Sequence, residues 1–270
     1  MGCADAPLLL DVRREETFRE SRYLLAGARR CKPEDVASFA ASQSPREVVV
    51  YCVYGHKLSA EVVATLRAAD WNAHVLAGGM QGGEDGVDTP EDIAQWRAQH
   101  LPTVAKRSDL GVTGAQASRW ITRERPKIDR IACPWLIRRF IDPNAVFLFV
   151  APAEVVAVGE RFNAIPFDIE DTFWSHRGEL CTFDVMVEEF GLATRPLLRL
   201  ATMVRAADTG RLDLSPEAPG LLAASLGLSR MYDDDLEQLE AGIVLYDAFY
   251  RWCRDASGET HNWPSAKAKP

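Results

Sequence analysis

Several features are missing from this 270-residue sequence, and each absence excludes a class of protein. No apolar run approaches the roughly 20 residues of a membrane-spanning helix, and the first residues lack the basic and apolar regions of a secretory signal. The net charge of −8 argues against broad nucleic-acid binding, which needs a basic surface. We therefore expect a cytoplasmic protein that binds neither membranes nor nucleic acid.

The six cysteines form no Cys-x-x-Cys pair and have no regular spacing. This scatter argues against a disulfide scaffold and favours reduced thiols, most of them small core residues. Cys52 is the exception, because it follows a strand-like run and precedes Gly55 and Lys57.

Residues 1–100 alternate between strand-like and helix-like segments. Apolar runs at 8–12 and 48–51 suit buried strands, and the apolar spacing of 58–66 is helical. This order predicts an α/β domain with a mostly parallel sheet and flanking helices.

The rest of the chain has a different pattern. Residues 101–118 lose apolar periodicity and predict a linker. Residues 119–257 predict a mainly α-helical (α+β) domain with helices at 128–141, 182–190, 195–207, 215–226 and 233–255. For residues 258–270 we expect a flexible tail.

The position of Cys52 favours a reactive thiol. At a strand-to-helix junction, successive backbone N–H groups converge and the helix dipole adds positive potential, so a thiolate is stabilised. Lys57 and His56 would add positive charge, and Gly55 lets the backbone curl. The alternative is a buried thiol at the end of a strand.

Four motifs in order carry a family resemblance across residues 9–80. They are LDVR at 10–13 followed by Glu15, LAGA at 25–28, YCVYGHK at 51–57 and LAGGM at 76–80. This region resembles the rhodanese-like domain family. The resemblance implies that Cys52 carries a persulfide, with Lys57 as the second catalytic residue and no cofactor required. It implies a small donor, thiosulfate or a persulfide, a thiol acceptor, and substrate binding by Val53, Tyr54, Gly55, His56 and Arg13.

Loop length distinguishes this pattern from the cysteine phosphatases and arsenate reductases of similar fold. Those enzymes need Cys-x5-Arg, in which the arginine binds an oxyanion. The corresponding position here is Leu58. Phosphatase chemistry is therefore not expected.

Two clusters stand out in the helical region. A basic segment at 119–141 could bind an anion such as chromate, sulfate or phosphate, with Arg130 and Arg138 as candidate ligands; the alternative is a solvated helix face with paired acids. His176, Cys181 and Asp184 are the most metal-like group and could hold a divalent metal. They are one ligand short of a closed site, which Asp208, Glu179 or Asp247 could supply, and the alternative is three unrelated residues.

Residues 118–255 resemble the C-terminal domain of the chromate-resistance family that includes chromate resistance protein B. The motifs are KxDRxxCPWLIRRFID at 127–142, HxxxxCTFD at 176–184, AAD at 206–208, AxGL at 218–221 and YDAFY at 246–250. The resemblance implies one site lined by Arg130, His176, Cys181 and Asp184.

The leading hypothesis is a sulfurtransferase that acts through Cys52 and is associated with chromate resistance. The second hypothesis is a non-catalytic chromate or oxyanion sensor. The third is metal-assisted redox detoxification by the C-terminal domain.

Overall fold

The computed structural model describes residues 6–81, 89, 91, 95 and 103–259. The end of the first predicted domain, the first two residues of the predicted linker and the predicted tail from residue 260 lie outside this part of the chain. No helix in the described part is long and apolar enough to cross a lipid bilayer.

Within the described residues, the strands lie in three sheets. In chain order they are β1 (Leu8–Asp11), β2 (Tyr23–Leu25), β3 (Ala28–Arg30), β4 (Glu47–Tyr51), β5 (Asn72–Val75), β6 (Thr103–Ala105), β7 (Arg119–Arg123), β8 (Val146–Val150) and β9 (Ile165–Pro166). The helices are α1 (Glu15–Glu20), α2 (Val36–Ala41), α3 (Lys57–Arg67), α4 (Asp129–Leu136), α5 (Val155–Phe162), α6 (Thr182–Glu189), α7 (Arg195–Asp208), α8 (Ala218–Met231) and α9 (Asp235–Arg251).

The N-terminal sheet is parallel and has the order β3-β1-β4-β5. Its two central strands are short apolar runs: Leu10 lies opposite Val50, and both side chains are fully buried. Val62 and Leu66 of α3 belong to the same core. The α/β architecture predicted from the alternating segments is confirmed.

The C-terminal part combines a parallel sheet of order β8-β7-β9 with a set of helices. Each of the five predicted helices is present, with ends that differ by a few residues. A π-helical turn, Ile137–Ile141, extends α4 and ends at Asp142, because the residue before a proline disfavours helical geometry. Asp234 caps α9 by accepting the N–H groups of Leu236 and Glu237 at 2.8 and 2.9 Å.

The segment predicted as a linker contains strand β6, which joins the two parts of the molecule. It pairs antiparallel with β2, so that Leu24 lies opposite Val104. Close by, the Gly27 N–H donates to the Phe140 carbonyl at 2.7 Å. A Cβ on Gly27 would lie 2.8 Å from the Arg139 carbonyl oxygen, so only glycine allows this approach.

The same N-terminal segment enters the C-terminal core. Phe18, Leu24 and Ala26 are buried in one apolar cluster with Trp120 and Ile137. These three residues of the segment 15–27 therefore belong to the N-terminal part by sequence but to the C-terminal core by packing. The sequence did not predict this shared core, since its contacts join residues about a hundred positions apart.

We expect Leu24→Ala to destabilise the whole molecule by about 2–5 kcal/mol, because it leaves a cavity where the two parts meet. Chemical unfolding monitored by tryptophan fluorescence and circular dichroism measures this change, and both signals should shift together. Leu198→Ala is the matched control, with a side chain 49% exposed on α7 and an expected loss below about 1 kcal/mol. If the fluorescence midpoint stayed in place, the shared core would not hold the two parts together.

Candidate functional site

Cys52 lies where strand β4 ends and the loop to α3 begins. The preceding residues Val50 and Tyr51 are fully buried, which fixes the end of the strand. The Cys52 side chain is itself buried, at 7% exposure. The C-terminal edge of a parallel sheet is where such folds bind ligands.

The shape of this loop is set by its contact with the turn at residues 76–81. The Cys52 carbonyl accepts the Met80 N–H at 2.9 Å, and the Val53 carbonyl accepts the Gln81 N–H at 2.8 Å. Gly55 has φ +72°, and a Cβ there would lie 2.4 Å from the Leu76 carbonyl oxygen. Two of the sequence motifs therefore form one interlocked backbone unit.

The pKa of Cys52 is lowered from its ordinary value. Burial opposes this shift, but the Ser59 hydroxyl and the N–H groups of Tyr54, Gly55 and His56 outweigh it by stabilising the thiolate. The Ser59 hydroxyl is buried, and within the described residues no other group occupies it as a hydrogen-bond partner. It is therefore available to the Cys52 sulfur. Cys31 shows the contrast, since burial raises the pKa of its thiol to about 11.

An open cavity of about 380 Å³ lies above the thiol. Its lining includes all the loop residues predicted to bind substrate except Gly55, and also Lys57, whose side chain is 88% exposed and lies 3.7 Å from Glu61. Four further residues line the cavity and were not predicted to bind substrate: Arg14, Thr17, Leu58 and Glu61. The signal that could have indicated Arg14 is its position directly after Arg13, the last residue of the first motif.

Arg13 lines the same cavity, but its guanidinium is already bound by the Asp11 carboxylate. Its Nε and Nη2 atoms donate to both carboxylate oxygens of Asp11 at 2.6–3.0 Å, and both side chains are buried. The Tyr51 hydroxyl donates to the same carboxylate at 2.9 Å. Arg13 therefore holds the first motif in place, and the positive charge of its guanidinium is already paired with the Asp11 carboxylate.

A second cluster lies in the C-terminal part, where three carboxylates surround one imidazole. The Nε2 atom of His176 is 3.3 Å from Asp208, 3.5 Å from Asp168 and 3.6 Å from Asp129. Within the described residues, ligand atoms of Asp129, His176 and Asp208 all lie within 4.8 Å of one another. This group has the composition and spacing to hold a metal ion.

Different elements deliver these four side chains. Asp129 begins α4, is fully buried, and accepts the Thr182 N–H at 2.6 Å. Asp208 is the last residue of α7, and His176 lies in the loop before α6. Asp168 follows β9 with φ +53° and pairs with the guanidiniums of two arginines, Arg123 at 3.1 Å and Arg130 at 3.4 Å.

The pKa values of the cluster reflect crowded negative charge. The pKa of His176 is raised to about 9, chiefly by its hydrogen bond to Asp168. Burial raises the pKa of Asp129 and of Asp208, and neighbouring carboxylates raise both further. At Asp168, the hydrogen bond from His176 and the two arginines outweigh burial, and the pKa is lowered.

Of the three metal ligands predicted from sequence, only His176 lies in this cluster. The Cys181 thiol contacts the Asp184 carboxylate at 3.2 Å, and Asp184 also accepts the Cys181 N–H, so the pair caps α6. Asp184 forms an ion pair with Arg205 at 2.8 Å. Asp208, one of the three residues considered as an additional ligand, does lie in the cluster.

Two further cluster residues were not predicted as ligands. Asp129 belongs to the long motif at 127–142, which was its only signal. Asp168 has no motif around it, and nothing in its spacing pointed to this site.

The two arginines predicted to bind anions are already engaged. Arg130 donates to the carbonyls of Arg123 and Glu124 at 3.2 and 2.8 Å, besides its pairing with Asp168. Arg138 forms an ion pair with Glu240 and lies 5.2 Å from the centre of the Phe147 ring. Each guanidinium has internal partners that compete with an outside oxyanion.

The parallel sheet and the Cys52 loop define a rhodanese-like domain, and residues 2–85 match the family model of that name. Residues 120–253 match the model of the ChrB C-terminal domain. The chain therefore joins a rhodanese-like domain to a ChrB C-terminal domain.

Individual proteins match parts of the chain. Protein ChrB of Cupriavidus metallidurans is 36% identical over 140 residues, which cover 51% of this chain but only 41% of that protein. Among solved structures, a rhodanese-like domain from an Anabaena protein is 28% identical, covering 36% of this chain and 98% of its own, with a TM-score of 0.28. A full-length protein from Lactobacillus plantarum is 23% identical, covering 37% of this chain and 74% of its own, with a TM-score of 0.29.

We expect Ser59→Ala to raise the pKa of Cys52, because the variant removes a hydroxyl that stabilises the thiolate. Less thiolate at pH 7 means that iodoacetamide should alkylate Cys52 several-fold more slowly, with the pH–rate midpoint moved upward. The control is Thr65→Ala, which removes an exposed hydroxyl on the same helix that bonds only to the Glu61 carbonyl. Equal midpoints for Ser59→Ala and the unchanged protein would contradict this role.

Proposed function

We propose that the N-terminal domain is a sulfurtransferase that carries sulfane sulfur as a persulfide on Cys52. The observation that carries this proposal is a thiol of lowered pKa, stabilised by three backbone N–H groups and the Ser59 hydroxyl, in the lining of an open cavity. A buried structural cysteine needs neither the lowered pKa nor the cavity. The match to the ChrB C-terminal domain supports an association with chromate resistance.

The first half-reaction conserves charge and needs no cofactor. The Cys52 thiolate attacks the outer sulfur of thiosulfate, the new S–S bond forms, and the sulfur–sulfur bond of the donor breaks to release sulfite. In the second half-reaction a thiolate acceptor attacks the outer sulfur of the persulfide and leaves with it, which regenerates the Cys52 thiolate. The N–H groups of residues 54–56, which stabilise the Cys52 thiolate, also stabilise the terminal sulfur of the persulfide anion in this proposal.

The rim of the cavity favours an anionic donor. Arg14, His56 and Lys57 contribute basic side chains, and Glu61 is the one acidic residue in the lining. Lys57 is largely exposed and only loosely paired with Glu61, so it can reorient toward a bound anion at little cost. Its role in this proposal is to attract the donor rather than to transfer a proton.

Mass spectrometry of the intact protein after exposure to thiosulfate tests the proposal. We expect the mass of one added sulfur atom, removed again by a thiol acceptor, and no such addition in Cys52→Ser. The matched control is Cys31→Ser, which removes a buried cysteine of the same domain whose thiol has a raised pKa. Unchanged labelling of Cys52→Ser, or no labelling of the unchanged protein by thiosulfate or a small persulfide, would refute sulfur transfer at this residue.

A sensor that binds chromate through Arg130 and Arg138 has weaker support, because internal partners of both side chains compete with an outside anion. If such binding occurs, chromate or sulfate should raise the melting temperature of Cys52→Ser as much as that of the unchanged protein. A shift that depended on Cys52 would place the anion in the N-terminal cavity instead.

A further inference from the structure

The basic side chains around the His176 cluster are unevenly distributed among its three carboxyl groups. Asp168 has two arginine partners, but Asp129 and Asp208 form no ion pair with lysine or arginine within the described part of the chain. Asp129 is fully buried, and its Oδ1 atom has no hydrogen-bond partner. A buried carboxylate with an unsatisfied oxygen is costly, and either a proton or a bound cation can offset that cost.

The imidazole cannot supply that compensation by itself. One N–H group donates well to one acceptor, yet the Nε2 atom of His176 lies 3.3–3.6 Å from an oxygen of each of three carboxylates. Ligands bonded tetrahedrally to a metal at about 2.0–2.1 Å are separated from one another by about 3.3 Å. The spacing around Nε2 is therefore close to that of ligands sharing one metal ion.

The surroundings hold these groups in place. The N–H groups of Thr182 and Phe183 fix the Asp129 carboxylate, and Arg123 and Arg130 hold Asp168 at the edge of the cluster. Hydrogen bonds of this kind orient the ligands in known metal sites. These side chains are therefore already held close together, and binding an ion does not require a large rearrangement.

The ligand types select the class of metal. Ca²⁺ takes six to eight oxygen ligands, and Mg²⁺ keeps several waters and few protein ligands. One imidazole with two carboxylates suits Zn²⁺, Mn²⁺ or Fe²⁺ better. Three protein ligands leave at least one coordination position, and the His176 side chain is 41% exposed, so that position can be reached from solvent.

We propose that Asp129, His176 and Asp208 bind one divalent transition-metal ion with an open coordination position. The ion replaces the proton on Nε2 of His176, so that Asp168, held by Arg123 and Arg130, borders the ion instead of accepting a hydrogen bond from the imidazole. The site is independent of sulfur transfer at Cys52, and its ligand set shares only His176 with the His176, Cys181 and Asp184 set indicated by sequence spacing.

The test uses the full chain without an affinity tag, stripped of metal by a chelator and then titrated with Zn²⁺ or Mn²⁺ alone. We expect about one equivalent bound by calorimetry and elemental analysis. A hundredfold excess over Kd should raise the melting temperature by about 5–10 °C. Asp208→Asn and His176→Gln should each weaken binding by more than about 100-fold, since loss of a direct ligand exceeds the effect of its supporting residues.

Two matched variants distinguish this ligand set from the acidic and thiol groups near it. Glu179→Gln removes a carboxylate that is 91% exposed three residues from His176, and Cys181→Ser removes the thiol of the sequence-predicted set. Both should bind the metal as the unchanged protein does. Circular dichroism and metal-free melting curves show which variants are folded, and His176→Gln, with its partly exposed side chain, serves if Asp208→Asn does not fold.

Three results would overturn the proposal. The first is no binding of Zn²⁺ or Mn²⁺ by the unchanged protein. The second is full binding by folded His176→Gln. The third is loss of binding in Cys181→Ser while Asp208→Asn retains it, which would assign the ion to the other ligand set.

Discussion

The pairing of β2 with β6 is the contact on which the arrangement of the two domains depends. It holds the segment 15–27 against the C-terminal core, where Phe18 and Leu24 are buried. The same segment connects to the Cys52 loop, because Arg13 donates to the Tyr23 carbonyl and the Tyr51 hydroxyl accepts the Leu25 N–H. Tyr51 directly precedes Cys52. The Cys52 loop is therefore linked, through the Tyr51 hydroxyl, to strand β2, which pairs with β6.

The two sites use opposite electrostatics. At Cys52, neutral backbone dipoles and a hydroxyl stabilise a single negative charge without a buried formal countercharge. Around His176, formal negative charges converge and only Asp168 is neutralised by arginine. The first arrangement favours electron-rich sulfur and anionic donors, whereas the second favours cations. The chain thus contains one region suited to a thiolate and another suited to a cation, joined by a common core.

Sequence reasoning located the Cys52 loop because the strand, loop and helix are contiguous, and their chemistry is local. The helices of the C-terminal domain were also predictable, since apolar periodicity marks each of them. The His176 cluster was only partly predictable: its members lie at 129, 168, 176 and 208, and short spacing favoured Cys181 and Asp184 instead. Those two residues are close in sequence because they cap a helix. Strand β6 is three residues long, and its partner is about eighty positions away, so no local pattern could reveal it.

The close approach of Gly27 to the Arg139 and Phe140 backbone has a consequence for modularity. The N-terminal family match ends at residue 85 and the C-terminal one begins at residue 120. Side chains from residues 15–27 nevertheless pack in the core of the C-terminal domain. A chimera joined between the two family matches would therefore have a C-terminal domain without Phe18, Leu24 and Ala26, which are part of its apolar core. A functional chimera would have to carry residues 15–27 along with the C-terminal half, or take its N-terminal domain from a protein with the same glycine and the same apolar face.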